Sequence, residues 1–175
     1  MQVLSHVQCW IDALPNDMKN IVSKGPLAGI KVLELGTLIA GPFCSRMLAE
    51  FGADVIKIES PEGDIMRHAG SVASDGMGCI FLNLNRGKRS VVLNLKTQEG
   101  RDVLRKLIST ADIFIHNVRR SAMDRLDLSY EAIAAINPRI LYCTATGFAK
   151  KNTRANAAAI DDVIQEAFLR VLRAR

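Results

Sequence analysis

With 175 residues, 49% of them hydrophobic and only 5% aromatic, the chain has the size of one globular domain and enough apolar material for a core, so a two-domain reading is strained. No stretch approaches the roughly 18 uninterrupted apolar residues of a membrane-spanning helix, and the first 24 residues carry Asp12 and Asp17 in place of a basic start and an apolar block. The formal charge of +5 favours an anionic partner, but the basic residues are dispersed and Trp10, Tyr130 and Tyr142 are the whole complement of Trp and Tyr, which disfavours a single-strand nucleic-acid platform. We expect a cytoplasmic protein with neither nucleic acid nor membrane as partner.

Residues 1–24 place Val3, Val7, Trp10, Ile11 and Leu14 at near-helical spacing before the Lys24-Gly25-Pro26 break, and predict an appended N-terminal helix. "KVLEL" (31–35) predicts a strand, followed by a Gly-bearing turn and a helix with Pro42 at its first position, where a missing amide costs nothing. Phe43, Met47, Leu48 and Phe51 form the expected buried stripe of that helix, and Gly52 is placed to end it in a left-handed conformation. "DVIKIE" (54–59) is the second strand, so residues 31–59 read as one right-handed parallel βαβ unit.

Residues 60–87 are rich in Gly, Ser and Asp and predict a long surface loop. "RSVVLNL" (89–95) predicts a strand. Thr97 then caps a helix with Val103, Leu104, Leu107 and Ile108 on its core face, and "DIFIHN" (112–117) is a further strand. Ser129 begins a short helix that Pro138 stops, and "RILYCTATG" (139–147) is the next strand. This alternation argues for an α/β fold, a Rossmann-like doubly wound sheet. Ile160, Val163, Ile164, Phe168, Val171 and Leu172 predict a last helix, with Arg170, Arg173 and Arg175 at its end. The chain thus divides into an N-terminal helical extension (1–24), a Rossmann-like domain (25–150) and a C-terminal helical tail (151–175).

Cys9, Cys44, Cys79 and Cys143 form no CxxC pair, and His6, His68 and His116 are equally scattered, so no metal site is expected and the cysteines are read as small buried apolar residues. Gly36 and Gly41 stand at the GxxxxG spacing of a Walker loop, but Pro42-Phe43 occupies the place of its Lys and Ser or Thr. GxGxxG is absent too, although Glu59 ends the second strand where a dinucleotide fold places a ribose-binding acid. The turn after the first strand can then offer backbone amides to an anion at a helix N-terminus, or be an ordinary βα turn with Gly for close packing; the pattern alone leaves both open.

"GPLAGIKVLELGTLIAGPFCSRMLAEFGADVIKIE", "NRGKRSVVLNLK", "NVRRSAMDRL" and "NPRILYCTATGF" follow one another in an order and spacing that resemble the N-terminal part of the family III CoA-transferases, the CaiB/BaiF group, over about residues 25–165. The resemblance implies a Rossmann-like CoA-binding domain, truncated relative to the family fold, and an interlaced homodimer or a heteromer with a full-length relative. Implied coenzyme A contacts are the backbone of Ile39, Ala40 and Gly41, the segment Leu93, Asn94, Leu95 and Lys96, the segment Asn117, Val118 and Arg119, and Arg125. Lys96 would supply charge for a phosphate. Ser60 stands where formyl-CoA transferase has a cationic contact, and Lys88 and Arg89 take phosphate or structural roles. Apart from the resemblance, Lys96 reads as a solvated helix-start residue, Arg125 as a surface ion-pair partner and Asn117 as a turn former.

The implied reaction moves CoA between an acyl-CoA thioester and a carboxylic acid acceptor, without a metal. An Asp carboxylate attacks the thioester to give a mixed anhydride, and returning CoA thiolate makes an enzyme-bound thioester. In the family that nucleophile lies downstream of the segment matching "DDVIQ", beyond residue 175, so the chain is expected to bind CoA and to be catalytically incomplete. Asp161 matches an assisting acid. The racemase branch has His where Ile160 stands, so racemisation is not expected. Arg120-Ser121, Asn152-Thr153 and "EAFLRVLRAR" depart from the family pattern. Two alternatives stand beside this reading: a non-catalytic interaction module that pairs with a full-length relative, and an NAD-type dinucleotide binder motivated by Glu59.

Overall fold

A computed structural model describes residues 25–72 and 74–146; the helices expected over 1–24 and 151–175, and Asp161, lie outside the described residues. Short aliphatic segments form five strands, β1 (Lys31–Leu35), β2 (Asp54–Glu59), β3 (Arg89–Val92), β4 (Ile113–His116) and β5 (Leu141–Thr144), joined by α1 (Ala40–Glu50), α2 (Cys79–Leu84), α3 (Gln98–Ile108), α4 (Arg120–Arg125) and α5 (Tyr130–Ile136). All pairings are parallel and the order is β3-β2-β1-β4-β5. The chain builds outward from β1 to β3 and then returns to lay β4 along the other side of β1. That reversal leaves a crevice between the carboxyl ends of β1 and β4, where open α/β sheets collect ligands.

Alternation along the strands sends successive side chains to opposite faces of the sheet. On one face Leu33, Ile58 and Phe114 meet Leu104 and Ile108 of α3, Met123 of α4 and Ile133 of α5 in the main apolar core. Each large side chain buried there stabilises the fold by about 1.5–3 kcal/mol. On the other face Val32, Val55 and Ile115 pack against Cys44 and Leu48 of α1. The caps form as expected, with Thr97 Oγ1 accepting from Gly100 N at 3.2 Å and Ser129 Oγ from Ala132 N at 3.2 Å. Gly52 has φ +100° and ends α1 as anticipated.

Several expectations are corrected. Helix α1 starts at Ala40, so Pro42 is its third residue, still within the turn that needs no amide partner. Phe43, Met47 and Phe51 are 49%, 37% and 50% exposed, and of the expected stripe only Leu48 turns inward. The inward side is instead Gly41, Pro42, Ser45 and Leu48, because the helix start lies so close to the strand ends that small residues must face them. Residues 60–87 are not one loop. They hold a 3₁₀ turn over Ile65–His68, capped by Asp64, and α2, which Met66 and Phe81 anchor in an apolar cluster while the Arg67 guanidinium lies 3.8 Å from the Phe81 ring centroid. Strand β3 ends at Val92 rather than residue 95, α4 was not anticipated, and Cys79 and Cys143 are exposed rather than buried. Among the described residues no helix is long and apolar enough to cross a membrane.

Candidate functional site

The carboxyl ends of β1, β2 and β3 open into a cavity of about 280 Å³. Leu35, Ile58, Leu93, Leu95, Val118 and Leu126 supply its apolar lining, and Ser60, Glu62, Asn94 and Lys96 are among its polar groups. Asn94 and Lys96 are in the cavity because β3 ends early: Asn94 Oδ1 accepts from Lys96 N at 3.1 Å, turning the chain over the strand ends before α3 begins. The Glu62 carboxyl is held below the usual range by a hydrogen bond from Ser60, with a smaller contribution from the charge of Lys96.

Beside the cavity, the β1–α1 turn and the β4–α4 turn are fastened across the sheet reversal by a single amide. Asn117 Oδ1 accepts from Thr37 N at 3.0 Å and Asn117 Nδ2 donates to Thr37 O at 2.8 Å. A Cβ at Gly41 would lie 3.2 Å from Gly36 Cα and 3.4 Å from Asn117 Oδ1, so the GxxxxG spacing serves a close approach of backbone to backbone and to Asn117. Ile39 is the N-cap of α1 and contributes no side-chain cap, and Ala40 and Gly41 follow in a first turn whose amides have no partner within a helix. His116, buried one residue before Asn117, shares a hydrogen bond between Nδ1 and Val118 O (3.2 Å) and another between Nε2 and Thr144 Oγ1 (3.1 Å). Burial pushes its pKa down to about 4, so the ring is neutral at pH 7.

Behind the turn lies a charged cluster that the alternation of strand residues places against α1. Glu34 on β1 and Lys57 on β2 are register partners, and their side chains are 0% and 1% exposed. Lys57 Nζ reaches Glu34 Oε1 at 3.0 Å, Asp64 Oδ2 at 2.9 Å and Gly36 O at 2.8 Å. Lys88 Nζ reaches Glu34 Oε2 at 2.8 Å, Pro42 O at 2.8 Å and Asn85 Oδ1 at 2.9 Å, and Ser45 Oγ donates to Glu34 Oε2 at 2.9 Å. Burial lowers the Lys88 pKa, against the opposing pull of Glu34.

Glu59 is spoken for. Its Oε2 accepts from Arg67 Nε at 2.7 Å and Asp64 N at 3.0 Å, and its Oε1 accepts from Arg67 and the Ser90 hydroxyl. Burial works against this carboxylate, yet the bonds from Arg67, Ser90 and Asp64 N prevail and draw its pKa down to about 2. No oxygen of Glu59 is left for a ribose, so the observation that motivated an NAD-type site is absorbed by a structural ion pair.

The expected site residues therefore separate into groups. Leu93, Asn94, Leu95, Lys96 and Val118 share the cavity, joined by Ser60 and Glu62. Ile39, Ala40, Gly41 and Asn117 form the adjoining turn. Arg119 is the N-cap of α4, and Arg125, exposed, is the last residue of that helix. Lys88 is enclosed in the charged cluster, whereas Arg89 pairs with Asp54 near the start of β2, away from the strands' carboxyl ends. Glu34, Lys57 and Asp64 were missed. A signal existed in "KVLEL" and "DVIKIE", each an apolar strand with one interior charge of opposite sign. Among the described residues no three His, Cys, Asp or Glu side chains are placed to hold a metal ion.

An all-parallel five-stranded sheet with its order reversing at β1 and a cavity over its carboxyl ends defines a Rossmann-type α/β domain. The model of CoA-transferase family III matches residues 27–169. A succinate–glutarate CoA-transferase from Agrobacterium fabrum is 42% identical over 85% of this chain and 38% of its own length, and a formyl-CoA:oxalate CoA-transferase from Escherichia coli is 44% identical over 81% and 34%. A CaiB/BaiF family protein from Brucella suis superposes with a TM-score of 0.73 at 41% identity, covering 82% of this chain and 39% of that one. A hypothetical protein from Mycobacterium tuberculosis gives a TM-score of 0.72 at 30% identity over 81% and 39%. The chain belongs to CoA-transferase family III, and it spans 34–38% of the length of these two curated relatives.

Proposed function

We propose that this chain carries the coenzyme A site of a transferase that moves CoA between an acyl-CoA and a carboxylic acid. The observation that supports this most is that Leu93–Lys96 and Val118, drawn from two loops distant in sequence, line one cavity at the strand ends. In this reading the apolar walls take the uncharged parts of the coenzyme, Lys96 meets a phosphate, and the turn at Ile39–Gly41 offers backbone amides. Arg119 and Arg125 add positive charge on the neighbouring helix, and Asn117 holds the two turns in register. CoA transfer belongs to the whole protein: a carboxylate nucleophile, with Asp161 assisting, attacks the acyl-CoA to give a mixed anhydride and CoA thiolate, the thiolate attacks the enzyme's side of the anhydride and releases the donor acid, and the acceptor acid takes CoA from the resulting enzyme thioester by the same two steps in reverse, which frees the nucleophile. Homodimer formation is part of the same proposal, and light scattering on the purified protein tests it.

Calorimetric titration of the 175-residue chain with CoA and with NAD, side by side, tests the binding claim. CoA should bind and NAD should not, and Lys96→Ala should weaken CoA binding about tenfold, the worth of one charge-assisted hydrogen bond. Binding of NAD without CoA would overturn the proposal.

A further inference from the structure

We infer that Lys57 and Lys88 are positioning residues that set the shape of the β1–α1 turn and, through it, the affinity of the site for CoA; this rests on the binding proposal above. The two ammonium groups are enclosed, with both lysine side chains 1% exposed. Lys57 Nζ donates to Glu34 and to Gly36 O and lies in ion-pair contact with Asp64, and Lys88 Nζ donates to Glu34, Asn85 and Pro42 O. Neither lysine can grip a phosphate directly, so any effect on a ligand must pass through the backbone they hold.

The two carbonyls they hold bracket the turn, Gly36 before it and Pro42 after it. A trans peptide points its C=O and N–H in opposite directions, so fixing Gly36 O toward Lys57 fixes Thr37 N–H away from it, toward Asn117 Oδ1 at 3.0 Å. Fixing Pro42 O toward Lys88 likewise aims Phe43 N–H back at Ile39 O, 2.7 Å away, which closes the first turn of α1. Between the brackets Leu38 has φ +66°, a left-handed conformation that a branched side chain adopts only under constraint.

The cluster is also an expensive way to fill the space. Burying two ammonium and two carboxylate groups carries a desolvation cost that their mutual attraction commonly fails to recover, and an apolar filling of equal volume is often as stable or more so. What an apolar filling cannot do is fix the direction of two carbonyls. The balance of two positive and two negative charges suits a device kept for geometry.

Two charge-balanced double variants test this, Glu34→Gln with Lys88→Met and Lys57→Met with Asp64→Asn, each removing one charge of either sign so that none is stranded. CoA affinity is measured by calorimetry, and hydrogen exchange is followed in peptides covering residues 37–43 and, as a fold reference, residues 98–108 of α3. In the wild type, CoA should slow exchange at 37–43. In whichever variant retains wild-type exchange across α3, that slowing should vanish and the affinity should fall at least tenfold. A folded variant that binds CoA within twofold of wild type overturns the inference, as does a wild-type turn whose exchange CoA leaves unchanged. A wild-type chain that binds no CoA overturns the binding proposal, and the inference falls with it.

Discussion

The two faces of one sheet are filled by different means. Against α3, α4 and α5 the strands present Leu33, Ile58 and Phe114 to a core that is almost wholly apolar, whereas the face that carries α1 has Val32, Val55 and Ile115 and then, toward the strands' carboxyl ends, the buried charges Glu34, Lys57 and Glu59. The apolar face gains stability in proportion to area and without direction, so its members can be exchanged for others of similar volume at small cost. The charged face gains little net stability from its ion pairs, but its bonds have direction, and two of them, from Lys57 to Gly36 O and from Lys88 to Pro42 O, end on the backbone of the β1–α1 turn.

The sharpest way to break this comparison is to damage each face and read stability and CoA binding together. Phe114→Ala should cost about 4 kcal/mol in denaturant unfolding, since Phe114 is fully buried at the centre of the apolar face, while the folded fraction keeps its CoA affinity. Lys57→Met alone should cost about 3 kcal/mol, because Glu34 and Asp64 lose their shared cation. Adding Asp64→Asn should return part of that stability without returning the affinity. An affinity unchanged in Lys57→Met would erase the distinction between the faces.

A smaller effect separates the faces by pH. His116 lies on the apolar face and is held neutral, so the unfolded chain takes up a proton first, and stability should fall as pH drops from about 6.5 toward about 4. Glu59 lies on the charged face with its pKa lowered from 4.5 to about 2, so the stability it supplies is complete above the unfolded value and is lost as pH falls through that lower range. Unfolding midpoints measured from pH 7 to pH 2 should decline in two stages, with His116→Gln removing the upper stage and Glu59→Gln the lower. A single decline untouched by either substitution would contradict both assignments.

Much of the fold was legible because it rests on short-range signals. Period-2 aliphatic runs, the caps at Thr97 and Ser129, and the glycine after α1 each act within a few residues, and each element they predict is present. Alternation says that a strand has two faces but not which helix will cover each, so "DVIKIE" hid the fact that its lysine faces α1 and meets the glutamate of "KVLEL". The stripe of Phe43, Met47 and Phe51 misled for a related reason, since the side turned inward was chosen by how close the backbone had to come, not by apolarity. Residues 60–87 looked structureless because their two anchors, Met66 and Phe81, are fifteen positions apart and meet only in three dimensions. For the candidate site, the segments Leu93–Lys96 and Asn117–Arg119 were proposed through family resemblance, and Leu93–Lys96 and Val118 line one cavity. Composition and spacing alone gave them no more than the roles of turn and surface residues.

The two bonds between Asn117 and Thr37 also have an entropic consequence. By joining Thr37 to the β4–α4 turn, the Asn117 side chain restricts the shapes both loops can adopt. The disorder that a binding loop usually surrenders to its ligand, worth about 0.5–1.5 kcal/mol for each side chain immobilised, has here been surrendered during folding. Under the binding proposal, CoA would meet a surface already ordered, and more of its contact energy would remain as affinity.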